Sequence, residues 1–192
     1  MKILALILIR TEIFLYRVLR DVDLEYRREK SLSEQRVSYT PLDIFTRFKL
    51  IRFIKREQDN GRGDVRLLDV GCGKCHTLLT LRRTGIDTYG LEYDSRLYEI
   101  ANSNCERLGY RDIVTCGDAV SFNKYSSFDC IYLYNPFNGD LMKQFVNRLI
   151  ECGFKGKIIY VNSVDLQVFH EYEASFIGRD IWGNPIHIIE FT

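Results

Sequence analysis

The sequence predicts an α/β fold: a doubly wound, mostly parallel sheet flanked by helices and closed by an antiparallel C-terminal hairpin. Three observations carry the prediction. Short apolar runs alternate with amphipathic stretches from Val65 to Val161, and such alternation builds parallel sheets with helices on both faces. The first run ends in a glycine-containing loop, Asp69-Val70-Gly71-Cys72-Gly73-Lys74-Cys75, at the place where these sheets receive ligands. The last two runs, Phe176–Ile181 and Ile186–Phe191, flank the turn-rich break Trp182-Gly183-Asn184-Pro185 and read as a hairpin.

Taken in order, the chain opens with Ile3–Ile9, an unbroken apolar run, followed by Arg10, Glu12 and the apolar stretch Ile13–Tyr16. This is too short to span a bilayer, which needs about 20 apolar residues, and no small-residue cleavage site follows it. Wound as a helix, it gathers Lys2, Arg10, Arg17 and Arg20 on one side. Residues 1–20 are expected to pack on their own domain or on a second copy; the alternative is peripheral contact with a membrane surface. Charge-rich residues 21–38 read as a connector, which divides the chain into an N-terminal part, 1–38, and a main domain, 39–192.

Thr40-Pro41-Leu42-Asp43 predicts a helix start, with Thr40 as cap, Pro41 in the first turn and Asp43 at the positive dipole end. Ile44, Phe45, Phe48, Ile51 and Ile54 follow at helical spacing, closed by Gly61 and Gly63. Strands are expected over Val65–Val70, Thr88–Tyr93, Ile113–Cys116, Phe128–Tyr134 and Lys157–Val161. Helices are expected over Thr77–Arg83, Ser95–Leu108 with Ser95 as cap, and Asp140–Cys152. With the hairpin, the count is seven strands.

Composition narrows the function classes. The 192 residues are 46% hydrophobic and 28% charged, the mix of a globular protein. Lys plus Arg exceed Asp plus Glu by 27 to 26, so the basic excess of a nucleic-acid binder is absent from the sequence. Six cysteines, four of them scattered singly in apolar stretches, resemble buried thiols rather than a disulfide framework. The expectation is a cytoplasmic protein, membrane-associated only if residues 1–20 make it so.

The chemistry lies at the strand ends. Gly71 and Gly73 permit a tight turn and a close ligand approach, and the following helix start suits a carboxylate or phosphate. Asp69 precedes the loop and can accept from an ammonium. Glu92, ending the second strand, can take both hydroxyls of a ribose, and Asp118, ending the third, can accept from an exocyclic adenine amine. Tyr134-Asn135-Pro136-Phe137 ends the fourth strand with an amide and aromatic rings.

This series resembles the class I S-adenosylmethionine-dependent methyltransferases from about Tyr39 to the C-terminus. The family's acid-x-Gly-x-Gly-x-Gly motif is matched by Asp69, Gly71 and Gly73, with Cys75 in place of the last glycine. The resemblance implies a Rossmann-like, seven-stranded domain and S-adenosylmethionine as cofactor. It assigns Asp69, Val70, Gly71, Cys72 and Gly73 to the methionine end, Glu92 and Tyr93 to the ribose, and Asp118 and Ala119 to the adenine. Asn135-Pro136-Phe137 resembles the Asn-Pro-Pro-aromatic motif of amino-methylating members with one proline only. The Tyr-Asn-Pro-Phe form, with Tyr39-Thr40-Pro41 upstream, is similar to small bacterial members.

The activity implied is transfer of a methyl group to an N or O acceptor of unknown identity. Asn135 is expected as positioner, its main-chain carbonyl or that of Pro136 as second acceptor, and Tyr134 beside them; Tyr39 and Phe137 are expected to line the substrate pocket. If the acceptor is a hydroxyl, Tyr39 or His170 is the candidate base. A non-catalytic cofactor-binding module or partner subunit fits the same residues. An oxidoreductase does not, because His76 stands where Gly-x-Gly-x-x-Gly needs its last glycine. Cys72-Gly73-Lys74-Cys75-His76 matches the attachment signal of c-type haem, but haem would consume the ligand loop. No metal site is expected, since His76, His170 and His187 are widely spaced.

Overall fold

The structure, a computed structural model, describes residues 2–20, 22–24, 42–137 and 139–192. The elements run α1 (Lys2–Arg20), α2 (Ile44–Glu57), β1 (Arg66–Val70), α3 (His76–Arg82), β2 (Asp87–Glu92), α4 (Ser95–Arg107), β3 (Val114–Cys116), β4 (Cys130–Tyr134), α5 (Asp140–Glu151), β5 (Gly156–Val161), β6 (Glu173–Arg179) and β7 (Pro185–Phe191). One seven-stranded sheet has the order β3-β2-β1-β4-β5-β7-β6. β7 pairs antiparallel with both neighbours and every other pairing is parallel. The doubly wound, Rossmann-like expectation holds, hairpin included.

Two cluster faces explain why the strands read as apolar runs. Leu68, Val70, Ile131 and Leu133 pack with Phe145 and Leu149 of α5 on one face. Leu67, Cys130, Tyr132 and Ile159 pack with Leu50 and Ile54 of α2 and Leu81 of α3 on the other. Strands buried on both faces lose the polar alternation of a half-exposed sheet.

Two helix starts differ from expectation. α2 begins at Ile44 with Asp43 as its cap, the carboxylate accepting from the N–H groups of Phe45 and Thr46; Thr40 and Pro41 lie outside the described residues. α4 is capped by Asp94, which accepts from the N–H groups of Arg96 and Leu97, so Ser95 is the first helical residue. A carboxylate one residue away offers a stronger, charge-assisted acceptor than a hydroxyl. β6 also begins earlier than expected, at Glu173, and is irregular between Phe176 and Gly178.

α1 is fixed to the domain by one face. Ile9 and Tyr16 are buried, and Tyr16, Val22 and Leu24 join a cluster with Cys72, Cys75, Leu78, Leu79, Ala101 and Cys105. Glu12 makes two hydrogen bonds to Arg47 of α2, at 2.9 and 2.6 Å. The expected connector lies mostly outside the described residues. No helix among the described residues is long and apolar enough to cross a membrane.

Candidate functional site

The sheet order puts the switch point between β1 and β4, where β1 has β2 on one side and β4 on the other. Val70 is in register with both Leu91 and Leu133. The residues that follow β1, β2 and β4 therefore meet at one edge, as the carboxyl ends of parallel strands must.

At that edge the β1–α3 loop turns sharply. Gly71 has φ +76°, and its N–H donates to the Leu91 carbonyl at 2.8 Å. A Cβ on Gly71 would stand 2.9 Å from Cβ of Pro136, so the glycine keeps the β1 and β4 ends in contact. Cys75, where the motif expects glycine, still takes the left-handed conformation at φ +68° and caps α3 through its backbone. Departing from the motif changed the side chain and kept the turn. Cys72 and Cys75 face each other at 3.7 Å between sulfurs. The Cys75 contact favours the Cys72 thiolate, but burial and nearby carboxylates outweigh it and push the thiol up to about 11. No group of three metal-ligating side chains occurs among the described residues.

Two buried carboxyls flank this loop. Glu92 accepts from the Gly73 N–H at 2.7 Å through Oε2 and from the Asp94 N–H at 2.9 Å through Oε1. Burial raises its pKa despite these bonds. Asp69 is buried in register with Gly90 and Tyr132. Burial first, and then the charge of Glu92, push it up to about 8. Asp69 thus lies in a negative, desolvated hollow, next to a Tyr132 hydroxyl that is buried without a partner among the described residues. Such a place favours a ligand that brings positive charge.

The other assigned residues divide. Tyr93 is exposed, following Glu92 directly. Asp118 follows β3, and its Oδ1 accepts from the Val120 N–H at 3.1 Å, fixing a turn at the same edge. Ala119 is buried, its carbonyl accepting from the Tyr125 hydroxyl at 2.7 Å. Val70 is a core residue, so only its backbone faces the loop.

Past β4, Asn135 is buried with φ +40°, a left-handed backbone that asparagine tolerates better than most residues. Its Oδ1 accepts from the Tyr160 hydroxyl at 3.0 Å. Tyr134 donates to Asp180 Oδ2 at 3.0 Å, which ties the strand end to the hairpin turn. Phe137 is a correction: expected in the acceptor pocket, it is 2% exposed and packs on Phe145 in the core. Its ring fills space under α5 instead of facing a ligand. His170 lies at the surface, its side chain 75% exposed beside Glu171. Tyr39 lies outside the described residues.

Sequence reading missed the polar groups contributed by β5 and β7. Tyr160 is in register with His187, whose Nδ1 is 2.7 Å from the Ser163 hydroxyl. Burial, and then Arg179, lower the His187 pKa. The one available signal was the polar run Asn162-Ser163 directly after an apolar strand.

Residues 67–152, somewhat under half the chain, match the family model described as Methyltransferase domain. The fold agrees with this along most of the chain. A methyltransferase from Pyrococcus furiosus superposes with a TM-score of 0.59 at 18% identity, over 94% of this chain and 93% of that one. This chain has a methyltransferase fold. Magnesium protoporphyrin IX methyltransferase from Synechocystis PCC 6803, solved with S-adenosylmethionine bound, gives a TM-score of 0.58 at 12% identity, covering 76% and 77%. An amino pentose methyltransferase of calicheamicin biosynthesis from Micromonospora echinaspora, also with that cofactor, gives 0.57 at 14% identity, covering 83% and 100%. No curated protein matches the sequence significantly. In this methyltransferase fold, the matched segment runs from β1 to the end of α5 and holds every cofactor residue expected from the sequence; Tyr39, expected at the substrate pocket, precedes it.

Proposed function

We propose that the protein is an S-adenosylmethionine-dependent methyltransferase acting on an N or O acceptor. The observation that carries this reading is the pair of buried carboxyls, Asp69 and Glu92, on either side of the Gly71–Gly73 turn. Asp69, in a hollow that penalises its charge, would hold the cationic methionine end. Glu92 keeps lone-pair capacity beside its backbone donors Gly73, Asp94 and Tyr93 and would take the ribose hydroxyls. Tyr93, Asp118 and Ala119 would border the adenine. The bound sulfonium supplies an electrophilic methyl group and a leaving group that needs no acid.

The protein's tasks are then alignment and exclusion of water. Tyr160 occupies one lone pair of Asn135 Oδ1 and fixes the amide; the remaining lone pair, with the main-chain carbonyls of Asn135 and Pro136, would orient an amine. Tyr134, locked to Asp180, would form the wall between this point and the hairpin turn. For a hydroxyl acceptor, His187 is the base the structure offers in place of His170: it stands beside Tyr160 and its lowered pKa keeps it neutral and able to accept a proton.

Calorimetry with S-adenosylmethionine tests the reading. Binding is expected, and Glu92→Ala should weaken it about ten- to hundredfold, the loss of a charge-assisted bond. No heat with the cofactor or its demethylated product would sink the proposal. Binding without methyl transfer to any of a panel of amines and alcohols would favour a non-catalytic cofactor-binding subunit.

A further inference from the structure

The inward face of α1 is accounted for by Ile9, Tyr16 and the Glu12–Arg47 pair. Its outward face is not. Ile3, Leu4, Ile7, Phe14 and Leu15 are all exposed, and all but Leu15 by more than half. At 100° per residue these five side chains form one stripe opposite Ile9 and Tyr16. Arg10 and Arg17 fall along one border of that stripe, Lys2 and Arg20 lie further round at the two helix ends, and all four are exposed. The helix has one carboxylate, Glu12, and it points inward.

We propose that α1 docks the protein on an anionic membrane surface through this face. An apolar stripe bordered by cations matches a headgroup layer, where side chains such as Ile7 and Phe14 enter the acyl boundary while the basic stems reach back to phosphate. The distribution of charge selects lipid over a second copy of the chain. A two-fold pairing of this stripe on itself would bring the bordering cations Arg10 and Arg17 of each copy together, while Glu12, the helix's one carboxylate, faces inward on both. The neighbouring α2 adds the exposed cations Arg52, Lys55 and Arg56, which a negative surface also accommodates. Docking leaves the inward contacts intact, so the sheet edge keeps its geometry on the membrane.

The experiment uses the full chain with vesicles of phosphatidylcholine, with and without phosphatidylglycerol. Sedimentation is expected only with phosphatidylglycerol and should decline as salt rises. Arg10→Gln should weaken binding about fivefold, the value of one cation near such a surface. Ile7→Ser with Phe14→Ser should weaken it at least tenfold, with little change in melting temperature because both residues are already more than half exposed. Absence of phosphatidylglycerol-dependent sedimentation by the unaltered chain overturns the proposal. So does self-association, seen by analytical ultracentrifugation, that the Ile7 and Phe14 substitutions abolish while vesicle binding stays unchanged.

Discussion

Asp69 is a carboxyl that folding makes costly to ionise, and the cost has a measurable sign. Burial and Glu92 push it up to about 8, so the folded chain holds this proton after the unfolded chain has lost it. Stability contributed by the protonated form is complete below the unfolded pKa and is lost as pH rises through the folded one. Unliganded protein should therefore show a falling urea midpoint between about pH 5 and 8, and Asp69→Asn should flatten that part of the profile. The same proton should leave when a cationic ligand binds, so the calorimetric enthalpy near neutral pH should vary with the buffer's ionisation enthalpy; no variation would assign the cation elsewhere. On the acceptor side, Tyr160→Phe removes the bond that fixes Asn135. It should lower kcat while leaving the cofactor Kd within about threefold, a difference below 1 kcal/mol. Asp69, Gly71 and Glu92 were legible in the sequence because one short motif and one strand end carry them. Tyr160, Ser163 and His187 were not, because only the antiparallel pairing of β5 with β7 brings them together. Phe137 misled because an aromatic after Asn-Pro fits a pocket wall and a core residue equally well in sequence.

Among the elements, helices were legible in extent and less so at their starts. The apolar period marks which face is buried, whereas Asp43 and Asp94 became caps because their carboxylates reach two N–H groups each, which no periodicity records. α1 was legible as an amphipathic helix. The two readings set against each other for it prove to concern different faces, since the inward residues pack on the domain whatever the outward stripe meets. What holds α1 is its attachment to α2 and α3. Burial alone would raise the Glu12 carboxyl, but hydrogen bonds from His76 and Arg47 hold it down to about 2. That stability is present above the ordinary carboxylate range and lost only as pH falls through about 2, opposite in sense to Asp69. Glu12→Ala would leave Arg47, 3% exposed, without its counter-charge, and should cost about 3 kcal/mol in urea unfolding at neutral pH. A loss below about 0.5 kcal/mol, ordinary for a surface change, would mean that Thr80, which accepts from Arg47 at 3.0 Å, suffices. β2 carries a second constraint: a Cβ on Gly90 would meet Cys72 Sγ at 2.7 Å and Leu78 Cδ1 at 2.9 Å. Gly90→Ala should destabilise by about 1–3 kcal/mol through overpacking and displace the glycine loop, detectable as weaker cofactor binding.

At the scale of the molecule, the sheet order could be anticipated because strand–helix alternation leaves few right-handed topologies, and the turn-rich break before Ile186 reversed the last strand. The attachment of the N-terminal segment could not, since it depends on contacts far apart in sequence. Asp23 accepts from Lys74 at 3.1 Å and its backbone exchanges hydrogen bonds with Asn104, which places residues 22–24 against the back of the glycine loop. Removing residues 1–20 should thus lower the melting temperature, a shift measurable by calorimetry; an unchanged value would mean that Tyr16 and Ile9 bury surface without stabilising it. The same arrangement has a consequence for how the chain acquires its structure. α1 is made before the sheet, yet the cluster of Tyr16, Val22 and Leu24 extends to Cys105 of α4 and Val114 of β3, so it stays incomplete until three of the seven strands have been made. A helix made before the sheet therefore docks only after β1 to β3 and α4 have followed it. Substitutions such as Tyr16→Leu should speed unfolding while leaving the refolding rate nearly unchanged, and until Cys105 emerges the apolar turns of α1 wait uncovered for whatever surface is nearest.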